Sequence, residues 1–433
     1  MWRYSKIGRE CAVGDGAHAS IERCATGIIY LSAKNLTFGG LNLEDVSFIS
    51  PENFKKYFKA ESKALTKPLP GDILLGIIGA GLGVPYRVEE GIGEFGISSS
   101  LAIIRVANPQ LLPNYLAYWM KGQFFQQSLK RIQSGSAQGF LSLEMIRSLP
   151  IHYPSYAQQK KIASILSAYD DLIENNNQRI KLLEEMAEEI YREWFVRLRF
   201  PGYKDVNFID PQGKIVPHST LGALPEGWEI KQLNLLCKNL SSKRRPISSI
   251  NRANMHGKFP YYGAAKIIDY IDDYIFEGKY LLVAEDGSVI TSEGYPVLQF
   301  VNDKFWVSNH AHVLQGQGDF STEYLYLSLS RYAISGHVTG AAQPKINREN
   351  LNRISLLKPL PQILTEFNGL IVPLFDQRHL LIQKNQLLQQ TRDLLLPRLM
   401  SGKLDIENLP HQIDEEPLSM VAEEEAIYHA KRK

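Results

Sequence analysis

Residues 135–195 align without a gap on residues 340–400 at a constant offset of 205. Gly135, Ala137, Gln138, Glu144, Pro154, Asp171, Gln178, Leu182 and Leu183 fall on Gly340, Ala342, Gln343, Glu349, Pro359, Asp376, Gln383, Leu387 and Leu388. A repeat this long at one offset restricts the fold to two halves of one design. Elsewhere the halves differ, and only Trp2, Ile7 and Cys11 match Trp228, Leu233 and Cys237, at an offset of 226. A repeated frame around two unlike modules points to a protein that reads two different things.

At 433 residues the chain has room for two to four domains with well-formed cores. Its 44% hydrophobic and 10% aromatic content is that of a folded soluble chain. No stretch resembles a spanning segment or a signal peptide, so a cytoplasmic location is expected. Cys11, Cys24 and Cys237 are widely spaced, which indicates neither a disulfide framework nor a zinc site and suggests buried thiols. Net charge is +2, but residues 405–433 carry −5, leaving +7 on the mildly basic body. Charge alone leaves the partner open.

Residues 1–150 read as a mixed α/β module, with strands expected near 71–78 and 97–106 and a helix over 114–132. Residues 201–355 have the same character, with strands near 280–284 and 305–314 and a helix over 321–335. Each module leads into a heptad seam. The first is Ile162, Leu166, Tyr169, Ile173, Asn176, Ile180, Leu183, Ala187, Ile190 and Trp194. The second is Phe367, Ile371, Leu374, Arg378, Leu381, Asn385, Leu388, Arg392, Leu395 and Leu399, less pure and with Pro373 near its start.

Two narrow apolar seams in one chain are expected to bury each other. A parallel pairing would set Asn176 against Leu381 and Asn385 against Ile180, stranding two amides at a cost of about 1–3 kcal/mol each. An antiparallel pairing sets Asn176 against Asn385, Ile162 against Leu399, Ile173 against Leu388, Ile190 against Ile371 and Trp194 against Phe367. The expectation is an antiparallel coiled coil whose register is fixed by the asparagines, with a pseudo-twofold axis and a length of about 50 Å. It would act as a spacer.

With this repeat in place, the chain resembles the specificity subunit of type I restriction-modification systems over nearly its whole length. The resemblance is carried by Leu224-Pro225-Glu226-Gly227-Trp228, Pro70-Gly71-Asp72-Ile73-Leu74-Leu75 and the run from Phe305 to Val313. It is also carried by the module endings Gly135-Ser136-Ala137-Gln138 and Gly340-Ala341-Ala342-Gln343-Pro344. It implies two target recognition domains, each reading one half of a bipartite, asymmetric DNA site, joined by helices that act as a ruler. It further implies two methyltransferase subunits, which modify adenine with S-adenosylmethionine, and two motor restriction subunits using ATP and Mg. No cofactor is expected on this chain. Half-sites one helical turn apart, ~34–36 Å, suit such a spacer.

Catalytic signatures are missing: no phosphate-loop lysine motif, no G-x-S-x-G, no H-E-x-x-H and no Asn/Asp-Pro-Pro-aromatic methylase motif. The glycines at 79, 81 and 83 could pass for a cofactor loop but read better as a flexible connection, and Glu277-Gly278-Lys279 as half a nuclease motif arises easily by chance. His310 and His312 face one way on a strand, yet no third metal ligand is indicated, leaving DNA contact or a structural role.

For DNA contact, Lys243, Arg244 and Arg245 form a compact cationic loop, and Lys258, Tyr261, Tyr262 and Lys266 interleave rings with cations. In the first module Lys34 and Asn35 lie in a polar stretch, and Lys130, Arg131, Gln133, Ser134 and Ser136 precede the ending with Gln138. Gln343, Lys345 and Arg348 extend the equivalent patch in the second half. The alternatives are a solvated loop for the Lys243–Arg245 cluster, a core position for the tyrosines and a turn-stabilising role for the glutamine.

The reading is a mixed α/β chain with no catalytic role of its own. It assigns recognition domains to 1–153 and 201–358, spacer helices to 154–200 and 359–404, and an acidic tail to 405–433. The rival readings are a coiled-coil adaptor binding proteins at both ends, or a self-contained methyltransferase or nuclease.

Overall fold

In the computed structural model the described residues are 2–62, 64–134, 139–340 and 343–404, without the side chains of 133 and 134. The chain divides into two compact units, Met1–Ile173 with Leu387–Lys433, and Glu174–Gln386. Each unit contains one α/β module and a stretch of each of two long helices.

The first unit is built on a four-stranded antiparallel sheet in the order Cys11–Asp15, Leu101–Val106, Ile73–Gly76, Pro85–Arg87. The apolar run at Leu101–Ile104 is continuous because this strand serves two cores. Ala102 and Ile104 pack with Tyr115, Leu116 and Trp119, while Leu101 and Ile103 pack with Leu31, Ile49 and Phe95. The second of these cores lies under a small sheet in which Ile28–Leu31 pairs antiparallel with Ser47–Ile49 and parallel with Phe95–Ile97. The helix expected over 114–132 is two helices, Pro113–Lys121 and Gln123–Ser134. The break falls at Gly122, whose extended backbone turns its N–H back onto the Tyr118 and Trp119 carbonyls.

The second unit has a six-stranded sheet in the order Cys237–Asn239, Ala311–Gly316, Phe276–Ala284, Leu298–Val307, His256–Tyr262, Ile267–Ile271. Its first four strands repeat the order and antiparallel pairing of the first unit's sheet. The run expected as one strand over 305–314 is two, split by a turn at 308–310. The helix expected over 321–335 is Thr322–Ser330, started by the Ser321 hydroxyl accepting from the Tyr324 N–H at 3.0 Å.

The offsets read from the sequence reappear as hydrogen bonds. Arg3–Lys6 pairs antiparallel with Pro150–Tyr153, and Glu229–Gln232 with Ser355–Lys358. The Ile7 N–H donates to the Leu149 carbonyl at 2.9 Å, and the Leu233 N–H to that of Ile354 at 2.8 Å. These pairs are related by the same 226 and 205 residues as the sequence matches.

The long helices are Tyr156–Tyr191, continued by a π turn at Arg192–Val196, and Pro361–Met400. Within the second unit, Asn176 donates to Asn385 Oδ1 at 2.8 Å, and Asn385 donates to Asn177 Oδ1 at 2.8 Å. Trp194 and Phe367 lie 5.6 Å apart between ring centroids. Within the first unit, Ile162 and Leu166 share a core with Leu399 and Met400. The two arginines that interrupt the second seam have carboxylate partners on the first helix: Arg378 meets Glu184 at 2.5 Å and Arg392 meets Asp170 at 2.5 Å. No described helix is long and apolar enough to cross a membrane.

Candidate nucleic-acid interface

In the second unit, the strand Phe276–Ala284 ends at Glu285 and Asp286, and three other segments converge there. The Ile346 N–H donates to the Glu285 carbonyl at 2.9 Å, the Glu285 N–H donates to the His310 carbonyl at 2.8 Å, and Asp286 bridges Lys345. The Glu285 carboxylate lies 2.7 Å from Arg244, 3.6 Å from Lys345 and 3.7 Å from His312. Burial pushes its pKa up, but the Arg244 hydrogen bond and the charges of His312 and Lys345 outweigh this and hold it below the usual carboxylate value. Around this anion the exposed cations Lys243, Arg245, Lys345 and Arg348 and the exposed His310 belong to the converging loops. His310 pairs with Asp286 at 2.6 Å.

Several expected contacts are interior instead. Arg244 donates through Nε and Nη1 to the carbonyls of Ser241, Asn309 and Ala311 at 2.8, 3.1 and 2.7 Å as well as to Glu285, so it fastens loops together. His312 is 1% exposed and donates from Nε2 to the Ile346 carbonyl at 2.7 Å. Burial lowers its pKa against the opposing pull of that carbonyl and Glu285, which favours the neutral ring. It therefore does not act with His310, which precedes the strand. Tyr261 is buried, its hydroxyl accepting from the Ile247 N–H at 3.1 Å. Asn35 is buried and donates to the carbonyls of Asn42 and Asp45 at 3.1 and 3.0 Å, a loop staple and not a base reader.

Lys258 and Tyr262 line a groove of about 560 Å³ with Lys304, Asp303 and, from the second long helix, His379 and Gln383. The Tyr262 hydroxyl is pushed up to about 12 by burial and by Asp303 and Tyr270. With Glu277 and Asp303 in its walls this groove has mixed charge, less suited to phosphate than the Glu285 edge. Lys266 is exposed in the turn between the two last strands of the sheet. Gln343 is also exposed.

The first unit has the same junction with other side chains. Ile77 stands where Glu285 does: its carbonyl accepts from the Leu141 N–H at 2.9 Å, and Ile78 bridges Phe140. The glycine run is an ordered turn, Gly79–Gly81, not a loose connection. A Cβ on Gly81 would lie 1.8 Å from the Ala33 carbonyl, so only glycine permits this approach to the short helix Ala33–Asn35 that carries exposed Lys34. Lys34 pairs with Asp45 at 2.6 Å. Gln126 donates to the Gly83 carbonyl at 2.9 Å, tying in the helix that bears exposed Lys130 and Arg131. The side chains of Gln133 and Ser134, and the whole of Ser136, Gln138 and the acidic tail 405–433, lie outside the described residues.

Sequence reasoning missed Glu285 and Asp286 in one unit and Ile78 and Phe140 in the other. The offset could have pointed to Phe140, which falls on Lys345. Cys11 and Cys237 are buried, with thiols pushed up to about 12 by burial, whereas Cys24 is exposed, contrary to expectation. Among the described residues no group of three or more His, Cys, Asp or Glu could hold a metal.

The family model for the type I restriction modification DNA specificity domain matches residues 31–185 and 225–388. The MjaIX specificity subunit of Methanocaldococcus jannaschii, a type I restriction enzyme subunit, is 28% identical over 69% of this chain and 71% of its own. The HindI specificity subunit of Haemophilus influenzae is 21% identical over 79% of this chain and 88% of its own. In fold, the chain is similar to the crystal structure of a type I restriction-modification S subunit from M. genitalium, with a TM-score of 0.57 and 14% identity over 92% of this chain and 96% of that one. With both modules matched, and each carrying the same strand-end junction, this chain belongs to the family of type I restriction-modification specificity subunits.

Proposed function

We propose that each α/β module reads one half of a bipartite, asymmetric DNA site and that the long helices fix the distance between the halves. The observation that carries this is the strand-end junction, built on the same backbone hydrogen bonds in both modules but holding Ile78 and Phe140 in one and Asp286 and Lys345 in the other. One frame with two unlike surfaces is what a reader of two unlike sequences requires. The recognition domains are residues 1–153 and 201–358 and the spacers 154–200 and 359–404.

The spacers form an antiparallel coiled coil, which the Asn176–Asn385 hydrogen bond and the Trp194–Phe367 contact support. The coiled coil docks two methyltransferase subunits, and two restriction subunits join the complex. S-adenosylmethionine, ATP and Mg are used by those partners; this chain is the non-catalytic positioner. The methyltransferase flips an adenine from the duplex for N6 methylation. The complex works in the cytoplasm, where its DNA substrate is.

The chain assembled with its cognate methyltransferase should methylate adenines in a single motif of two short blocks separated by a fixed gap, mapped by long-read sequencing. Scattered methylation, or one uninterrupted block, would overturn the reading. The asparagine layer has its own test. Asn176→Leu should cost about 1–3 kcal/mol in urea unfolding, because Asn385 loses its buried donor. The double variant Asn176→Leu with Asn385→Leu should regain most of that loss; if it is no better than the single variant, the pair does not set register.

A further inference from the structure

We infer that Ile78 and Phe140 form an apolar contact that reads a thymine 5-methyl group in the half-site of the first module. The inference rests on the reading above that this module binds duplex DNA.

The pair is exposed at 48% and 38%, although Ile78 lies just beyond the fully buried strand Ile73–Gly76. The backbone dictates this. Ile77 and Leu141, next to them in the chain, are buried and joined by a hydrogen bond, so alternation turns Ile78 and Phe140 outward. The interior does not need them, since Leu141 already fills the core position there. In the second unit the two equivalent positions hold Asp286 and Lys345, which shows that the junction folds with polar side chains as well.

What surrounds the pair identifies its ligand. The adjoining turn Gly79–Gly81 carries no side chain larger than the Ala80 methyl, so a bulky ligand can approach the backbone closely. Gly81 packs against the turn bearing Lys34, and Gly83 is tied to the helix bearing Lys130 and Arg131. An apolar pair joined through Gly81 and Gly83 to elements that carry exposed cations matches a duplex groove with phosphates along its edges. The thymine methyl is the apolar feature on the major-groove floor.

The test uses the full chain assembled with its methyltransferase and duplexes carrying the mapped motif. Each thymine is replaced in turn by uracil, which removes only the methyl. At one position of one half-site, wild type should lose about fourfold in affinity, the value of one buried methyl. The double variant Ile78→Ser with Phe140→Ser should no longer distinguish thymine from uracil there, while its other half-site stays unchanged. Ile78→Thr, which keeps the branched shape of the strand residue, should weaken the discrimination without lowering the melting temperature and covers the case of a poorly folded double variant. The inference is overturned if wild type is indifferent to uracil everywhere or if the variants keep full discrimination. It is equally overturned if the folded variants fail to assemble with methyltransferase in the absence of DNA, which would mark a protein contact. Absence of a bipartite motif for wild type would instead bring down the function proposed above, and this inference with it.

Discussion

Replacing Lys279 by alanine is expected to destabilise the second unit by about 3 kcal/mol. The Lys279 ammonium lies 2.8 Å from Glu323 and 2.6 Å from Asp376, and thus ties the central strand of the sheet to the module's helix and to the second long helix. Burial works against its charge, but the hydrogen bonds to Asp376 and Glu323 outweigh it and raise its pKa above the usual lysine value. Glu323 is 2% exposed, so removing the ammonium strands a buried carboxylate. The contribution is fully present at neutral pH and is lost as pH rises through the elevated lysine pKa. The urea midpoint should fall accordingly, and Lys279→Met combined with Glu323→Leu should recover most of it, since no buried charge is then left unpaired and the half-exposed Asp376 carboxylate is solvated. An alanine variant that unfolds at the wild-type midpoint would show the clamp to be dispensable.

Arg244 and Arg245 are neighbours in sequence with opposite expected behaviour. Arg244→Ala should cost about 2–3 kcal/mol of stability, because it leaves Glu285 without its closest cation and three loop carbonyls without their donor. It should also blur the half-site of the second module, since those loops present Lys345 and His310. Arg245 is exposed, and Trp306 donates to its carbonyl, a bond that alanine keeps. Arg245→Ala should therefore change stability by less than about 0.5 kcal/mol. If Arg245 neutralises a phosphate, its removal weakens binding to all sequences and lowers the slope of log affinity against log salt by about 1. Melting curves and a salt titration of the assembled complex separate the two residues. Equal loss of stability in both variants would contradict these assignments.

The helix partners of the two seam arginines explain why an imperfect heptad pattern still forms two helices of 36 and 40 residues. Arg378 and Arg392 read as flaws in the apolar seam, but Glu184 and Asp170 lie within 2.5 Å of them. Asp170 also accepts from the Tyr118 hydroxyl at 2.7 Å, so one carboxylate serves a long helix and the first module together. Such ties bring together residues far apart in sequence.

That separation marks the boundary between what sequence and tertiary structure decide in this protein. The sequence by itself determined the two-half design, the 205 and 226 offsets, the long helices and the asparagine partners, because periodicity and repetition are properties of order along the chain. The split of the expected 114–132 helix at Gly122, and of the expected 305–314 strand at 308–310, escaped it, since apolar spacing runs on from Met120 to Phe124 and the alternation of Phe305 and Val307 resumes in phase at Ala311 and Val313. Tertiary structure alone decided which polar residues reach solvent. Arg244 and His312 look like surface residues until Ala311 and Ile346, 67 and 34 residues away, supply their acceptors. Asn35 and Tyr261 are likewise consumed by loop backbones. In the other direction, Ile78 and Phe140 are large apolar residues that nothing in the sequence singled out, and closure of the sheet edge paired them and turned both outward. Exposure is fixed by contacts between distant segments, and those contacts exist only once the chain has folded.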